Sequence, residues 1–286
     1  MKVAVFGSQH KVDQAEDIIR VLSKLGSVAD LSIERQFYGF VRRSLGLRID
    51  CNILEDELPA GTDYVVSIGG DGTFLRAARC IGAKQTPIWG INSGRLGFLT
   101  DADCSDAIHL IDRLVKREFS LESRSVLAVK VGEQYTGYAL NEAAIMKRET
   151  GSIISVDTHL GEDYLAAYDA DGLIIATPTG STAYSLSVNG PLIMPQSQDF
   201  VLSPIAPHTL NMRPLIVPDD TVISLRVSSR SDSFLLSLDG NVTPFDCGES
   251  IHISKADYCV RLMKVAGHSF ADTLRKKLMW GASVRL

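Results

Sequence analysis

The length, composition and charge of the chain exclude several classes of protein. A chain of 286 residues with 45% hydrophobic and 22% charged residues is typical of a globular protein of two domains. Its formal net charge of −5 does not provide the positive field that non-specific nucleic-acid binding requires. No apolar run reaches the length of a membrane span. We therefore expect neither a nucleic acid nor a membrane as a partner.

The cysteines and the first residues indicate the compartment, and the cysteines and histidines indicate whether a metal is bound. The five cysteines are widely spaced and form no Cys-x-x-Cys pair, which is not the pattern of a disulfide framework or a zinc site. The six histidines share no metal-ligand spacing. The chain starts with too short an apolar run for a signal peptide. We expect a cytoplasmic protein without a resident metal.

Strand and helix patterns alternate over the first 120 residues. Short apolar runs predict buried strands at residues 2–6, 28–31, 64–68 and 87–91. Helical spacing predicts helices at residues 12–25, which Gly26 would end as a C-cap, and at 74–81. Residues 37–47 are ambiguous, and a loop is one interpretation of them. Such alternation predicts an α/β domain with a parallel sheet.

The pattern changes near residue 121. Short strands with turn signals between them predict an all-β domain over residues 121–267. These strands cover residues 127–131, 135–140, 153–160, 222–227, 234–238 and 250–253. Residues 270–280 have helical spacing again. We therefore expect the α/β domain to comprise residues 1–120 and to be completed by residues 268–286.

A glycine-rich segment, Gly69-Gly70-Asp71-Gly72-Thr73, joins a predicted strand to a predicted helix. Glycines allow close approach of a ligand, and the N–H groups of such a loop and helix start can hold phosphate oxygens. A carboxylate is unexpected there, because phosphate is also an anion. A carboxylate at position 71 has a use if it accepts a proton from an attacking hydroxyl or helps to hold Mg²⁺ beside the phosphates. The alternative is a tight Gly-Asp-Gly turn.

A second glycine-containing loop is rich in hydroxyl groups. It follows the apolar run at residues 173–176 and reads Thr177-Pro178-Thr179-Gly180-Ser181-Thr182-Ala183-Tyr184-Ser185. Four of the six residues from 177 to 182 can donate to phosphate or ribose oxygens. Ser181 or Thr182 could also cap a following helix. A capped helix would use one or two hydroxyls but not the whole run, so a binding function is favoured.

Asn141-Glu142 follows the predicted strand at residues 135–140. An amide offers a donor and an acceptor, and a carboxylate can accept from both hydroxyls of a ribose. Taken alone, the pair is better explained as a hairpin turn.

These motifs, in this order, resemble the motif set of the NAD kinases. The resemblance runs from about residue 64 to 245. The Gly-Gly-Asp-Gly element also occurs in diacylglycerol and sphingosine kinases, whereas the Thr-Pro-Thr-Gly-Ser-Thr-Ala-Tyr run is far more specific. The motifs are Gly69-Gly70-Asp71-Gly72-Thr73, Asn92-Ser93-Gly94-Arg95-Leu96-Gly97-Phe98, Asn141-Glu142, Asp171-Gly172 with residues 177–184, and Ser203-Pro204-Ile205-Ala206-Pro207-His208-Thr209-Leu210.

The resemblance implies a fold, a site and an assembly. The fold would be an N-terminal Rossmann-like α/β domain and a C-terminal β-sandwich-like domain, with the last helix returning to the first domain and the site between the two. The enzyme would use ATP with Mg²⁺ to phosphorylate NAD⁺, and it would be a homo-oligomer, a dimer or a tetramer. Asp71 would be the general base, and Gly69, Gly70, Gly72 and Thr73 would form the phosphate loop. The residues implied in NAD binding are Asp71, Gly72, Arg76, Asn141, Glu142, Asp171, Thr182, Ala183, Tyr184, Ser185, Leu186 and Ser187.

Two positions differ from some members of the family. Asp169 stands where some members carry a basic residue, so both NAD⁺ and NADH remain candidate substrates. Independently of this position, ATP and polyphosphate remain alternative phosphate donors. Asn241 follows Asp239-Gly240 where some members have Gln, and a plain hairpin turn explains it. Lys147 and Arg148 are candidate phosphate contacts or solvated charges.

The sequence favours phosphorylation of the 2′-hydroxyl of NAD⁺ to give NADP⁺. A lipid kinase with the same Gly-Gly-Asp-Gly loop is one alternative, although the hydroxyl-rich loop does not suit acyl chains. A catalytically silent NADP(H)-binding sensor is another, although it would not need a carboxylate at Asp71.

Overall fold

The structure is a computed structural model that describes residues 1–9, 14–94 and 97–282. The chain divides into two compact units. The first comprises Met1–Ser123 with Val260–Leu286, and the second comprises Arg124–Cys259. Within the described part of the chain, none of the helices combines the length and apolar character of a membrane-spanning helix.

The first unit contains an eight-stranded sheet with helices. Its strands are β1 (Lys2–Gly7), β2 (Asp30–Glu34), β3 (Asn52–Leu54), β4 (Tyr64–Gly69), β5 (Ile88–Asn92), β6 (Ala102–Asp103), β7 (Ser120–Arg124) and β20 (Val260–Lys264). The order is β3-β2-β1-β4-β5-β20-β7, with β6 beside β5, and β1 pairs in parallel with both β2 and β4. Its helices are α1 (Ala15–Val28), α2 (Arg35–Arg43), α3 (Asp71–Ile81), α4 (Cys104–Val115) and α6 (Phe270–Leu278).

Apolar spacing explains how these helices cover the sheet. Helix α1 buries Ile18, Val21, Leu22 and Leu25, which lie on one face at three- and four-residue spacing. They share a core with residues of β1, α2 and α4 and with Met263 and Val265 near the C-terminus, so the chain returns to this unit after the second one. The expected C-cap was wrong, because Gly26 lies inside α1. The ambiguous stretch at 37–47 is not a loop throughout, since it contains most of α2.

The second unit consists of two six-stranded antiparallel sheets. Its strands are β8 (Leu127–Val131), β9 (Tyr135–Ala139), β10 (Glu142–Lys147), β11 (Ile154–Leu160), β12 (Asp163–Ala170), β13 (Gly172–Ala176), β14 (Asp199–Ile205), β15 (Leu215–Pro218), β16 (Ile223–Ser229), β17 (Ser233–Leu238), β18 (Asn241–Asp246) and β19 (Ser250–Lys255). The sheet orders are β15-β14-β13-β10-β17-β18 and β12-β11-β16-β19-β8-β9. One short helix, α5 (Tyr184–Ser187), interrupts the strands.

One apolar core joins the two sheets of the second unit. Val156 of β11 and Ile145 of β10, from opposite sheets, belong to the same buried cluster. Strand β13 is apolar throughout because both its faces are covered: Leu173 belongs to that core and Ile174 to a smaller cluster on the other side. The predicted α/β domain and β-sandwich-like domain, with a last helix that belongs to the first, are confirmed. The return begins at Val260 in β20, eight residues before the predicted 268.

Candidate functional site

The glycine-rich loop of the first unit is the end of β4 and the start of α3. Gly69 ends β4 and Gly70 precedes the helix without a side-chain cap. The first N–H groups that bond inside the helix are those of Thr73 and Phe74, which donate to the Gly70 carbonyl at 3.0 and 3.2 Å. The N–H groups of the two preceding residues have no acceptor within the helix.

The glycines of this loop differ in what they are needed for. A Cβ on Gly69 would overlap the Thr73 side chain, so internal packing requires glycine there. A Cβ on Gly70 or Gly72 would meet no atom within 4 Å, and neither residue has a positive φ. Packing and backbone conformation therefore do not explain these two glycines, whereas a ligand that needs the space would.

Asp71 is the first residue of α3, and its carboxylate is held by the segment 97–99. Its Oδ2 accepts from the Phe98 N–H at 3.0 Å and its Oδ1 accepts from the Leu99 N–H at 2.9 Å. The Nζ of Lys277 lies 3.4 Å from Oδ2. A carboxylate oxygen can accept more than one bond, so acceptor capacity remains on both oxygens. Arg95 and Leu96, which precede this segment, lie outside the described residues.

Arg76 lies one turn further along α3 and has partners within the first unit. Its guanidinium makes a bidentate ion pair with Glu34, at 2.8 and 2.9 Å, and donates to the Gly7 carbonyl at 2.9 Å. A contact with a nucleotide would have to use the N–H groups that remain.

The Asn141-Glu142 pair lies where the chain of the second unit passes from one sheet to the other. Strand β9 belongs to one sheet and β10 to the other, so the hairpin-turn interpretation of this pair was wrong. The carboxylate of Asp239 accepts from three consecutive N–H groups, those of Leu140, Asn141 and Glu142, at 2.8, 2.8 and 3.2 Å. Asp239 thereby fixes the backbone that presents the pair.

Glu142 is a buried carboxylate with an open oxygen. It is 8% exposed, and among the described residues its Oε2 has no hydrogen-bond partner. Burial, and then repulsion from Asp239, raise the pKa of Glu142 from 4.5 to about 7, although the Tyr184 N–H acts in the opposite direction. Burying a carboxylate without full pairing is unfavourable unless a ligand completes it.

The hydroxyl groups of the second loop are largely used inside the protein. Thr177 Oγ1 donates to the Leu140 carbonyl at 2.5 Å, Ser181 Oγ to the Pro178 carbonyl at 2.7 Å, and Thr182 Oγ1 to the Thr179 carbonyl at 3.1 Å. Thr179 Oγ1 is buried without a partner among the described residues. Internal hydrogen bonds therefore explain three of the four hydroxyls of this run, more than the one or two that a capped helix would use.

The segment after this loop is a turn and a single helical turn, not a long helix. Residues Gly180–Thr182 form a 3₁₀ turn, and α5 follows it with Ala183 at its N-cap and no side-chain cap. The predicted capping by Ser181 or Thr182 was therefore wrong. A Cβ on Gly180 would overlap the carbonyl of Asn141, so glycine permits the approach of the two loops.

The candidate residues of this segment differ in exposure. Tyr184 is 37% exposed, and Ser187 is exposed as well. Thr182, Ala183 and Leu186 are half-buried. Ser185 is buried and bonds to Ser203 at 3.0 Å, so it supports the loop from inside.

Asp171 stands between β12 and β13, and a lysine neutralises it. Lys147 Nζ lies 2.6 Å from its Oδ1 and also donates to the Thr150 carbonyl at 3.2 Å. Lys147 is thus an ion-pair partner of Asp171, whereas Arg148 is exposed. Asn241 donates to the Leu238 carbonyl at 3.1 Å across the two-residue turn of β17 and β18, as a hairpin residue does.

Sequence reasoning missed two residues of these sites. Asp239 occupies the first turn position, where aspartate is common for local reasons, and Lys277 is one of two adjacent lysines in a helix. Neither position has a local signal for its distant contact. In the described ranges, no group of three His, Cys, Asp or Glu residues is placed to hold a metal ion.

Comparison with known proteins identifies the family. Residues 41–119 match the family model of the ATP-NAD kinase N-terminal domain, and residues 140–265 match that of the C-terminal domain. The chain is 55% identical to the NAD kinase of Porphyromonas gingivalis, over 99% of each chain, and 44% identical to that of Bacteroides fragilis, over 100% of each.

Solved structures share the fold. The crystal structure of yeast NADH kinase complexed with NADH matches with a TM-score of 0.86 and 22% identity, covering 100% of this chain and 89% of that one. An NAD kinase from Archaeoglobus fulgidus in complex with ATP matches with a TM-score of 0.70 and 25% identity, covering 98% of both chains.

Proposed function

This chain belongs to the NAD kinase family and is an enzyme that phosphorylates NAD, and we propose the following reaction for it. The γ-phosphate of ATP, supplied as Mg·ATP, is transferred to the 2′-hydroxyl of the adenosine ribose of NAD⁺. The products are NADP⁺ and ADP, so the enzyme supplies NADP biosynthesis.

The glycine-rich loop supports this proposal most directly. It combines a carboxylate, an uncapped helix start and two glycines, Gly70 and Gly72, that face open space. We propose that the N–H groups at this helix start, which have no acceptor within the helix, bind the phosphates of the donor, with Gly69 and Thr73 completing the loop. Gly72 is also proposed to lie beside NAD, and Arg76 to approach it with the N–H groups that Glu34 and Gly7 leave free.

Asp71 is proposed as the general base. As the 2′-oxygen attacks the γ-phosphorus, its proton passes to the Asp71 carboxylate, and the bond between the γ-phosphorus and the β–γ bridging oxygen breaks. Two backbone N–H groups fix the carboxylate, so its orientation does not have to be found during the reaction.

NAD⁺ binding is proposed for the second unit. Glu142 would accept hydrogen bonds from ribose hydroxyls with its open Oε2, and Asn141 would lie beside it on the backbone that Asp239 fixes. The exposed ring of Tyr184 would pack on a flat ring of the dinucleotide. Asp171 would contact the nicotinamide end of NAD⁺. The other proposed residues would line or support the NAD⁺ pocket from the same loop: Thr182, Ala183, Ser185, Leu186 and Ser187.

Three further properties belong to the same proposal. Mg²⁺ arrives with ATP and is held mainly by phosphate and water oxygens, as is usual for this ion. The cytoplasm is proposed as the location, and the five cysteines, all free thiols, suit a reducing compartment. A homo-oligomer, a dimer or a tetramer, is proposed as the active form, as the resemblance to the family implies.

An assay specific for NADP⁺ tests the reaction. Purified protein is incubated with NAD⁺ and Mg·ATP, and parallel reactions omit ATP, replace it with polyphosphate, omit Mg²⁺ or replace NAD⁺ with NADH. We expect NADP⁺ and ADP in equal amounts from NAD⁺ and Mg·ATP. Formation of ADP without NADP⁺, or of no product from NAD⁺ with either phosphate donor, would refute the proposed reaction.

A further inference from the structure

The C-terminal helix brings a lysine to the carboxylate of Asp71. Lys277 lies in the last turn of α6, and its Nζ is 3.4 Å from Asp71 Oδ2. The two side chains are similarly exposed, at 31% and 30%. The residues are 206 positions apart in sequence, so the fold alone brings them together.

A second contact holds the same ammonium group. Lys277 Nζ lies over the ring of Phe98, 4.3 Å from its centroid, which is the distance of a favourable cation–π contact. The N–H of Phe98 donates to the carboxylate oxygen that Lys277 approaches. The ring of Phe98 also contacts Phe270 in the first turn of α6, at 6.2 Å between centroids. The lysine, the segment 97–99 and the carboxylate therefore form one connected group.

The neighbouring basic residues of α6 have other partners. Arg275 pairs with Asp272 in its own helix, and Asp272 forms a capping box with Ser269 at the helix start. Lys276 lines a cavity of about 380 Å³ together with Asp103 and other acidic residues. Lys277 thus differs from its neighbour in facing Asp71, which gives a matched control within one helix turn.

The position of this cation addresses a conflict in the proposed chemistry. Asp71 is an anion at the helix start that is proposed to bind the phosphates of ATP. Two negatively charged groups that are brought close together repel each other. An adjacent ammonium group reduces that repulsion and restricts the rotation of the carboxylate. Both effects act on the reacting arrangement more than on the binding of NAD⁺.

We propose that Lys277 is a positioning residue of the phosphoryl transfer, which holds the Asp71 carboxylate in its reactive orientation and compensates its charge beside the donor phosphates. This inference rests on the proposed function. It assigns to the C-terminal helix a role in the rate of the reaction in addition to its contribution to the fold.

Steady-state kinetics of three variants test the inference. Lys277→Met removes the charge and keeps the apolar stem, Lys277→Arg restores a charge, and Lys276→Met is the matched control. For Lys277→Met we expect kcat to fall about tenfold, below the ~10²–10⁴-fold attributed to a general base, while KM for NAD⁺ changes less than about twofold. Lys277→Arg should recover most of kcat, and Lys276→Met should match the wild type in both parameters.

Each result separates the inference from its alternatives. A wild-type kcat for Lys277→Met would overturn the inference. A kcat for Lys277→Arg no higher than that of Lys277→Met would also overturn it, because the positive charge would then not determine the rate. Addition of Lys277→Met to Asp71→Asn should lower the residual rate less than it lowers the wild-type rate, and an equal loss in both backgrounds would also overturn the inference. The proposed function fails separately, if the wild-type protein forms no NADP⁺ or if Asp71→Asn keeps a normal kcat.

Discussion

Replacement of Glu142 by glutamine should stabilise the protein and weaken its affinity for NAD⁺. Burial, and then repulsion from Asp239, raise the pKa of Glu142 to about 7, against 4.5 for the free carboxyl. Glutamine has the same shape, still accepts from the Tyr184 N–H, and has no charge to bury. A substitution that improves stability and damages binding would show that the carboxylate is retained for the ligand.

The size of the effect follows from the pKa. A carboxyl whose pKa is higher in the folded state than in the unfolded state binds its proton more tightly when folded. Its ionised form therefore destabilises the folded state above pH 7, and this cost disappears as the pH falls from 7 towards 4.5. The difference between 4.5 and about 7 corresponds to roughly 3 kcal/mol above pH 7. At pH 5 less than about 1 kcal/mol remains.

Thermal unfolding at two pH values measures the effect. At pH 8, Glu142→Gln should unfold at a higher temperature than the wild type, and at pH 5 most of this difference should be lost. Glu162→Gln, in the exposed turn between β11 and β12, is the matched control and should leave both melting temperatures unchanged. NAD⁺ affinity, measured by titration calorimetry at pH 8, should fall about 10- to 100-fold in Glu142→Gln, as expected for the loss of a charged hydrogen bond.

Two results would refute this reasoning. A lower melting temperature for Glu142→Gln at pH 8 would show that the buried charge is compensated by contacts that glutamine loses. Unchanged NAD⁺ affinity in a stabilised variant would show that the open carboxylate oxygen does not face the dinucleotide.

Four further substitutions test the two loops. Asp71→Asn should lower kcat by ~10²–10⁴-fold and leave the dissociation constant of NAD⁺ nearly unchanged, and a near-normal kcat would exclude a general base at this position. Tyr184→Ala should raise KM for NAD⁺ several-fold with little change in melting temperature, because the side chain is partly exposed. Thr182→Ala should lower the stability by about 1 kcal/mol, because it removes the hydrogen bond to the Thr179 carbonyl. A large stability loss in Tyr184→Ala with unchanged KM would contradict its place in the pocket. Gly180→Ala should destabilise the second unit by at least about 2 kcal/mol, because the added Cβ would overlap a backbone carbonyl. The control Gly151→Ala should be tolerated, because no atom lies within 4 Å of its added Cβ. Equal melting temperatures for the two variants would contradict the packing role of Gly180.

The elements that the sequence predicted well are those whose apolar pattern is regular from one end to the other. Strand β8 has the predicted bounds, because alternating apolar residues mark both its ends. The stretch 37–47 is ambiguous in sequence, although Phe37, Phe40 and Val41 of α2 have the spacing of one buried helix face. Glycine often ends a helix, which predicts an end at Gly26, but α1 continues past it to Val28. Tertiary packing decides such cases more than local propensity does.

The site could be predicted only in part, for a physical reason. Motifs that are local in sequence, such as the Gly-Gly-Asp-Gly loop, predict an anion site because helix starts and glycines have known properties. The side chains that hold those motifs are distant in sequence: Asp239 bonds to residues 97 to 99 positions away. Lys277 is 206 positions from Asp71. A local pattern contains no information about such partners, and only the packed chain reveals them.

The hydroxyl-rich loop shows that a specific sequence can serve a backbone shape as well as a ligand. Thr177 bonds to the carbonyl of residue 140, and Gly180 allows the loop to touch the carbonyl of residue 141, so this loop and the Asn141-Glu142 segment are built as one piece. Substitutions at Thr177 or Gly180 should therefore lower stability, whereas substitutions at Tyr184 and Glu142 should lower NAD⁺ affinity without lowering stability. If Gly180→Ala lowered the affinity and kept the melting temperature, this division of roles would be wrong, and the close approach of the two loops would have to be explained by the ligand rather than by the fold.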